Sequence, residues 1–461
     1  MEEMVPGPYR RSLSVLQEDV PPLPFKTIRG IVESEMSCKM EEVFLSFDAK
    51  PIASASIGQV HFAELLDGTP VVVKVQYPDV QRFFRIDMRT TLKLVGLTSP
   101  QFKQMLREQE KNFTKEFDYI REGRNLRLMY DRINGVSNTR VPQPYDSKHP
   151  MCPARFVKTG GLVSSMLLVM DRCPGRSVSK IATGFLEQFA RSVGMSVKEF
   201  KTDMMDKMKS KDFLNKLMDT GKSAAMEMAA AQVYLSTGLL AWNALATTYN
   251  WTFGFFASNL NYQWTGVAFN SSSLVQRLYD VHAEQMFAVG SFNADPHVGN
   301  LMIDESTGSI YLLDFGQLIE IKKHQRILFA QTIIAMLEGD KSTVHKNWKK
   351  MGNDFKWIGP GEVDETELYY AMVHSIYNGS TGLEMLMKVT GCDDIMQYVE
   401  RFGLILHVER VSSVCAMIHR MTDCLRGAAM TLGAGNPSAG ELFRPAAERY
   451  LQSQRTLMIS K

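Results

Sequence analysis

Four short segments of the chain show the two-residue alternation or the buried apolar run that is typical of β-strands. PIASASIGQVHFAELL (51–66) and TPVVVKVQY (69–77) flank a Leu-Leu-Asp-Gly turn, which predicts a hairpin. SSMLLVM (164–170) predicts a buried strand, and LMIDESTGSIYLLDFG (301–316) predicts two short strands about a turn. Most of the predicted sheet therefore belongs to the first 170 residues.

Elsewhere the apolar residues recur every three to four positions, which is the period of an α-helix. An extended, proline-punctuated segment, DVPPLPF (19–25), leads into the first of these stretches. The resulting fold class is α+β, with a β-rich part followed by a mainly helical part. Helix is predicted over 27–43, 83–97 and 103–132, helix or loop over 178–289, and helix with Gly and Pro breaks from 322 onward.

Composition and charge restrict the class of protein. The 461 residues carry 52 Lys+Arg against 50 Asp+Glu, a formal charge of +2, so a partner recognised mainly through phosphate neutralisation is not expected. This argues against nucleic acid as a partner. Hydrophobic residues make up 45% and charged residues 22%, which is ordinary globular usage, and the length predicts two or three packing units.

One segment departs from this average, because residues 228–276 carry no charge at all. It lies in a predicted helical insertion of about 195–273. Residues 228–248 have the length of a membrane span and 251–269 form a second, more polar candidate, although Gln232 and Asn243 are costly in hydrocarbon. Three interpretations stay open: a spanning hairpin, a pair of helices at a lipid surface, or an ordinary insertion or misannotated intron.

The six cysteines and the N-terminus bear on the compartment. The cysteines are scattered without a Cys-x-x-Cys pair, which predicts reduced thiols in a reducing compartment. MEEMVPGPYRRS shows no apolar core of a secretory signal and begins with two acids, unlike a transit peptide. We expect either a cytosolic protein or a chain whose true N-terminus lies upstream.

A strand-borne lysine follows a loop of small residues. Lys74 lies in the middle of a β-branched run, and small residues before it allow backbone N–H groups to approach a polyphosphate while the lysine contacts its oxygens. Taken alone, such a lysine is more often solvated and such a loop is usually a turn. The predicted phosphate-loop residues are Ala53, Ser54, Ala55, Ser56 and Gly58.

Downstream, three polar residues have the spacing of a kinase catalytic loop. Asp295 and Asn300 form Asp-x-x-x-x-Asn, and Asp314 opens an Asp-Phe-Gly fourteen residues later. Carboxylate and amide oxygens suit Mg²⁺, while Asp295 can orient or deprotonate a phosphoryl acceptor. On the intervening helix Glu116, Asp118 and Glu122 are candidate partners of Lys74, or solvated surface acids.

With these motifs in order, the chain resembles the UbiB/aarF-domain-containing (ADCK, ABC1-like) atypical kinases of isoprenoid-quinone, or coenzyme Q, homeostasis. The resemblance rests on PPLPF, ASASIGQVHFA, VVVKVQYPDV, EFDYIREGRN, FNADPHVGN and LLDFGQ. It implies a bilobal protein-kinase-like fold with a small β-rich N-lobe, a mainly helical C-lobe and a helical insertion. It also implies that the Ala-rich loop replaces the Gly-rich one and that ATP or ADP binds with Mg²⁺.

The resemblance further implies a role for each candidate residue. Lys74 is the nucleotide lysine, Glu122 its ion-pair partner and Asp295 the catalytic-loop aspartate, while Glu116 and Asp118 form the E-x-D motif of the cleft. The implied metal ligands are Asn300 and Asp314, and the implied hinge residues at the adenine edge are Met170, Asp171 and Cys173.

The implied domains are an N-terminal extension over 1–49, an N-lobe over 50–170 and a C-lobe over 171–461. The K-x-G-Q helix of the family lies upstream of PPLPF and is missing here, which indicates either a shortened gene model or an uncovered site. Val298 replaces a usual proline, and no Ala-Pro-Glu follows Asp314. Because that segment is part of ordinary protein kinases, phosphorylation of protein substrates is not favoured.

The leading function is an ATP-dependent atypical kinase or ATPase that acts on a quinone-precursor or prenyl-lipid substrate at a membrane surface. The alternative is a nucleotide-binding pseudokinase scaffold without phosphoryl transfer. A mitochondrial or plastid location follows from the resemblance, while a cytoplasmic one stays open because the N-terminus shows no targeting segment.

Overall fold

The computed structural model describes residues 21–54, 57–98, 114–178, 271–355, 362–393, 408–432 and 434–459, together with isolated positions between these ranges. The chain divides into two compact units. Unit 1 comprises residues 1–134, 140–174 and 311–318, and unit 2 comprises 135–139, 175–310 and 319–461. Each unit is described by itself.

Unit 1 is built on a five-stranded antiparallel sheet in the order β1–β3–β4–β6, with β2 paired to β3. The central strand β4 is rich in valine, whose branched side chains favour the pleated conformation. Its register places Lys74 opposite Val60 on one side and Leu168 on the other. The strands are β1 (Phe44–Phe47), β2 (Ala53–Ser54), β3 (Gly58–Leu65), β4 (Pro70–Gln76) and β6 (Leu167–Asp171).

One face of this sheet carries the apolar core of unit 1. Val71, Val73 and Val75 alternate along β4 and are fully buried, in one cluster with Ile28 and Val32 of the first helix. The two-residue period therefore turns Lys74 to the other face. The helices of unit 1 are α1 (Phe25–Met36), α2 (Val80–Thr98), α3 (Tyr119–Ile133) and the single turn α4 (Ala154–Val157).

Unit 2 is mainly helical around an aromatic core. Phe329 contacts Phe287 and Tyr377 at ring-centroid distances of 5.9 and 5.5 Å, and Tyr279 contacts Phe443 at 5.3 Å. The helices are α5 (Ser271–Glu284), α6 (Lys323–Glu338), α7 (Lys341–Lys350), α8 (Glu365–Tyr377), α9 (Gly379–Thr390), α10 (Ser413–Thr431) and α11 (Ala439–Ile459).

Short strands connect the helices. A four-stranded sheet has the order β5–β10–β9–β7, and β11 pairs with β8 as β12 does with β13. The strands are β5 (Thr139–Arg140), β7 (Arg176–Ser177), β8 (Ser291–Asn293), β9 (Leu301–Asp304), β10 (Ser309–Leu312), β11 (Leu318–Glu320), β12 (Asp354–Phe355) and β13 (Val408–Arg410).

The observed elements differ from the predicted ones at several boundaries. The helix predicted over 27–43 ends at Met36, because Ser37 adopts a left-handed conformation at φ 53° and its N–H bonds to the carbonyls of Glu33 and Ser34. The rest of the predicted range holds a 3₁₀ helix, Met40–Glu42, and strand β1 begins after it at Phe44. The helix predicted over 103–132 is interrupted at Asp118, which is extended and starts α3.

The uncharged segment 228–276 and the insertion of about 195–273 lie almost entirely outside the described residues, so the three interpretations of this segment stay predictions. Among the helices that are described, none is both long enough and apolar enough to cross a membrane.

Candidate functional site

The site in unit 1 is centred on the ammonium group of Lys74. Its Nζ atom lies 2.7 and 3.0 Å from the two carboxylate oxygens of Glu122, and 3.0 Å from Oδ2 of Asp314. The Tyr119 ring lies beside it, with its centroid 5.1 Å from Nζ. One ammonium thus bridges two carboxylates that are 48 and 240 residues away in the chain.

Burial and charge determine the protonation of this cluster. Burial lowers the pKa of Lys74, but the charges of Asp314 and Glu122 outweigh it and hold this pKa well above the ordinary 10.5. Burial together with the charge of Asp314 raises the pKa of Glu122 from 4.5 to about 7, although Lys74 opposes this. With both carboxylates ionised, the cluster carries one surplus negative charge, which favours a nearby cation.

The direction of Glu122 is set by the way its helix begins. Asp118 is the N-cap of α3, and its Oδ1 accepts a hydrogen bond of 3.0 Å from the N–H of Arg121. Glu122 follows four residues later, and its N–H bonds to the carbonyl of Asp118 at 3.0 Å. Asp118 was predicted as a cleft carboxylate from the E-x-D motif. The structure gives it this capping contact, and the cleft role stays a prediction.

The Asp-Phe-Gly segment is anchored to the same region of unit 1. Asn125 on α3 donates a 2.8 Å hydrogen bond to the carbonyl of Phe315, and Gln317 donates to the carboxylate of Glu116. Oδ1 of Asp314 accepts from the N–H of Gly316 at 2.8 Å. Glu116 of the E-x-D motif therefore holds the chain next to Asp314, an arrangement that the sequence motifs did not predict.

The loop of small residues is partly described. Ser54 shares a 2.6 Å hydrogen bond with the hydroxyl of Tyr77, and Ala53 and Ser54 form β2. A Cβ atom at Gly58 would lie only 2.4 Å from the carbonyl oxygen of Val75, so no side chain fits there. Ala55 and Ser56 lie outside the described residues, and their predicted phosphate contacts stay predictions.

Strand β3 continues from this loop into a buried polar chain. Gln59 accepts a hydrogen bond of 2.9 Å from the N–H of Leu23 and contacts the His61 ring at 2.8 Å, whose Nδ1 lies 2.7 Å from the carbonyl of Asp48. A carbonyl can only accept, so His61 Nδ1 carries the proton and His61 Nε2 accepts from the Gln59 amide. Gln59 and His61 are fully buried, and this fully paired chain ties the Pro-rich segment to the residues directly after Gly58.

The predicted hinge residues lie at the end of β6. Met170 is buried, and the N–H of Asp171 already bonds to the carbonyl of Gln143 at 3.0 Å. The Asp171 carboxylate accepts from the N–H of Gln143 and contacts His149. Burial raises the pKa of the Cys173 thiol to about 12. Asp171 and Cys173 line a cavity of about 330 Å³ within unit 1 that Lys74 does not line, so the adenine contact stays a prediction.

The catalytic-loop residues belong to unit 2. The N–H of Asp295 donates to the side chain of Asn293 at 3.0 Å. The Asp295 carboxylate pairs with Arg420 at 3.2 Å and lies 3.7 Å from Sγ of Cys424, two residues on one face of α10. Asn300 ends the helical turn Val298–Asn300, where its N–H bonds to the carbonyl of His297.

Some contacts were missed at the level of sequence. Arg420 and Cys424 lie more than 120 residues after Asp295, and nothing in their local pattern signals the contact. Tyr119 directly follows Asp118 of the E-x-D motif, and this position could have signalled its contact with Lys74. The structure brings Lys74, Glu122 and Asp314 together in unit 1 and Asp295 with Asn300 in one loop of unit 2.

The residues of unit 1 fit a magnesium–nucleotide complex. Mg²⁺ usually keeps several waters and phosphate oxygens and takes only one or two protein carboxylates. Asp314 supplies such a carboxylate, in a cluster that carries surplus negative charge when Glu122 is ionised. Among the described residues, no group of three or more His, Cys, Asp or Glu side chains is gathered as a dedicated metal cage.

Comparisons with known proteins match the chain to a domain family and to two curated relatives. The ABC1 atypical kinase-like domain matches residues 15–218 and 248–348, about two thirds of the chain. AarF domain-containing protein kinase 1 of Xenopus tropicalis is 37% identical over 150 residues, which are 32% of this chain and 29% of that protein. An uncharacterised protein from the hydrogenase 1 5′ region of Clostridium pasteurianum is 24% identical over 82% of this chain and 53% of its own length.

A solved structure also matches. The complex of Rv3197 with erythromycin from Mycobacterium tuberculosis superposes with a TM-score of 0.53 at 17% identity, covering 96% of this chain and 88% of that one, which supports the fold alone. The chain spans between about a third and a half of the length of the two curated relatives. By its matched domain the chain belongs to the ABC1 atypical kinase-like family, and the predicted α+β kinase-like fold is confirmed.

Proposed function

We propose that this chain binds ATP or ADP with Mg²⁺ and works as an atypical kinase or ATPase. The observation that carries the proposal is the buried bridge from Lys74 to Glu122 and Asp314. Phosphoryl transfer depends on positioning and charge neutralisation, and this bridge holds a permanently charged ammonium next to a carboxylate suited to Mg²⁺.

Each residue has a defined part in the proposed chemistry. When bound, Mg²⁺ neutralises phosphate charge, and Asp314 and Asn300 would hold it. Lys74, fixed by Glu122, would contact the α- and β-phosphates, while backbone N–H groups around Gly58 would face the polyphosphate. Asp295 would orient the acceptor or take its proton. Cys173 and its neighbours would contact the adenine edge.

The proposed setting follows the family. We propose that the chain supports isoprenoid-quinone, coenzyme Q or prenyl-lipid homeostasis at a membrane, with a quinone-precursor or lipid as substrate, in a mitochondrion or plastid. Ordinary protein-kinase activity is not favoured, because α6 begins at Lys323, leaving only β11 between Gln317 and the helix.

A second candidate function is a pseudokinase scaffold that binds nucleotide without transferring phosphate. The observation in its favour is that both carboxylate oxygens of Asp295 are engaged, one by Arg420 and one by Cys424. An acceptor hydroxyl would have to compete with these contacts for the carboxylate. Phosphate release therefore separates the two candidates, whereas nucleotide binding does not.

The test measures the melting temperature of the purified chain with and without Mg²⁺–ATP. We expect the nucleotide to raise it by several degrees in the wild type and in Lys50→Met, a control in which an exposed lysine of unit 1 is replaced. Lys74→Met should lose this shift. Because that change leaves Glu122 buried without its cation, Lys74→Met/Glu122→Gln provides a second variant in which both charges are removed.

Retention of the full shift in both Lys74 variants would show that the nucleotide binds elsewhere. Phosphate release from ATP, measured for the wild type and Asp314→Asn, then decides between the candidate functions. Release that the Asp314 variant reduces at least tenfold supports the enzyme. Nucleotide binding with no release above the Asp314→Asn background supports the scaffold.

A further inference from the structure

Helix α2 (Val80–Thr98) of unit 1 exposes large apolar side chains to solvent. Phe83 is 61% exposed and Ile86 is 48% exposed. The packing face of the helix comprises other residues, the half-buried Phe84 and Met88. The ring centroid of Phe84 lies 5.2 Å from that of Phe117. The exposed pair therefore forms a second apolar stripe on a helix that is already packed.

A basic stripe runs beside it. Arg82, Arg85, Arg89 and Lys93 are all exposed, and their spacing of three to four residues places them within an arc of about 80° on the helix. Within the described part of the chain none of the four forms an ion pair. Asp87, the only acid of α2, lies outside this arc.

The two stripes are adjacent. At 100° per residue, Ile86 and then Phe83 follow the basic arc on the side away from the packing face. We call this combination of Arg82, Phe83, Arg85, Ile86, Arg89 and Lys93 the α2 ridge. It combines a row of cations with a narrow apolar edge, as in helices that lie in the plane of a membrane interface.

We infer that the α2 ridge docks unit 1 onto an anionic phospholipid surface. Guanidinium groups pair with lipid phosphates, and Phe83 and Ile86 enter the boundary between headgroups and acyl chains. Charge complementarity selects this partner, because the negative potential of such a leaflet attracts a helix with four basic residues and one acid. The whole chain, by contrast, is nearly neutral. The inference deepens the membrane part of the proposed function and names the surface involved.

Other exposed apolar residues lack the charged neighbours. Leu45 and Leu66 of unit 1 are 62% and 58% exposed, as much as Phe83. No row of basic residues accompanies them in the sequence, where the neighbouring charged residues Glu41, Glu42 and Glu64 are acids. Glu41 and Glu42 are moreover paired with Arg29 and Arg155. They supply a matched control, with an equal number of apolar side chains removed from the same unit.

The experiment is co-sedimentation of the full chain with vesicles in the absence of nucleotide. Vesicles consist of phosphatidylcholine alone or of phosphatidylcholine mixed with phosphatidylglycerol. We expect binding to the anionic vesicles that falls as salt is raised, and weak binding to the neutral ones. Arg82→Gln/Arg85→Gln/Arg89→Gln should weaken anionic binding by about a hundredfold. Phe83→Ser/Ile86→Ser should weaken it at least tenfold, and Leu45→Ser/Leu66→Ser should leave it unchanged.

The replaced side chains are exposed, so the melting temperatures of all variants should match that of the wild type. The inference is overturned if the wild type binds neither vesicle, as it would if the ridge served an acidic protein surface. Binding that the ridge variants leave intact also overturns it, because another segment then carries the contact. Since the assay contains no nucleotide, failure of the α2 ridge and failure of the nucleotide site are separately visible.

Discussion

At the scale of single residues, close approach of backbone and side chains determines which positions tolerate change. Gly58 has its Cα directly against the neighbouring strand, where an added Cβ would lie 2.4 Å from the carbonyl oxygen of Val75 and 2.8 Å from the Tyr119 hydroxyl. Gly30 on α1 is exposed, and an added Cβ there has no neighbour within 4 Å. The two glycines therefore have opposite environments within one unit.

These environments predict opposite effects of the same substitution. Gly58→Ala should lower the free energy of unfolding by about 1–3 kcal/mol, because strands β3 and β4 must move apart. Gly30→Ala should raise it by about 0.5–1 kcal/mol, because alanine loses less conformational entropy in a helix. Urea denaturation measures both changes. Equal stability of the two variants would contradict the packing described around Gly58.

The residues of the candidate site could be predicted where a local motif carries them. Lys74, Glu122 and Asp314 were identified from short motifs, and the structure places them in contact, although their roles stay predictions. Arg420 could not be identified, because its contact with Asp295 depends on how α10 packs in unit 2. The capping contact of Asp118 also needed the structure, since the motif assigned that carboxylate to the cleft.

At the scale of elements, the N-terminus of α3 positions Glu122, the ion-pair partner of Lys74. The Asp118 carboxylate satisfies a backbone N–H that the first turn leaves unpaired, and Glu122 lies one turn further on. A change at Asp118 can therefore act through the helix or through the nucleotide, and two substitutions distinguish these routes.

Asp118→Ala should destabilise the chain by about 1 kcal/mol, because alanine cannot cap the helix, whereas Asp118→Asn should cost little, because asparagine caps as well as aspartate. Thermal unfolding measures both. The nucleotide-dependent shift of Asp118→Asn then tests the cleft role predicted from the E-x-D motif. A normal shift assigns Asp118 to the cap alone, and a lost shift at normal stability assigns its charge to the nucleotide.

Element boundaries were predicted less well than element types. Helix α1 was expected to continue to Val43, but the left-handed Ser37 ends it, and such a conformation is not evident from serine itself. Strands β12 and β13, with two and three residues, are too short to show a period. Strand β4 and helix α2 were predicted within a few residues, whereas the run predicted over 51–66 divides into β2 and β3.

At the scale of the whole molecule, two buried groups give the units opposite responses to pH. The raised pKa of Glu122, about 7, means that folded unit 1 retains a proton that the unfolded chain has lost above 4.5. Its contribution to stability is present below 4.5 and is lost as pH rises through 7. Burial lowers the pKa of His282 in unit 2 to about 4, so its contribution is present above 6.5 and is lost as pH falls through 4.

Between pH 4.5 and 6.5 the two contributions oppose each other, each up to about 3 kcal/mol. We expect the free energy of unfolding to rise more steeply with pH in Glu122→Gln than in the wild type. In His282→Met it should rise less or fall. Urea titrations at several pH values measure these slopes. Slopes in both variants parallel to that of the wild type would refute the assigned protonation states.

The path of the chain through unit 1 also has a consequence for its synthesis. Residues 311–318 belong to unit 1, yet 240 residues separate Lys74 from Asp314. At a translation rate of roughly 5–20 residues per second, Lys74 waits about 12–48 s on the ribosome for Asp314 to be made. Until then Phe315 is not available to Asn125. The N-terminal part therefore cannot complete its fold before Asp314 and Phe315 have been synthesised.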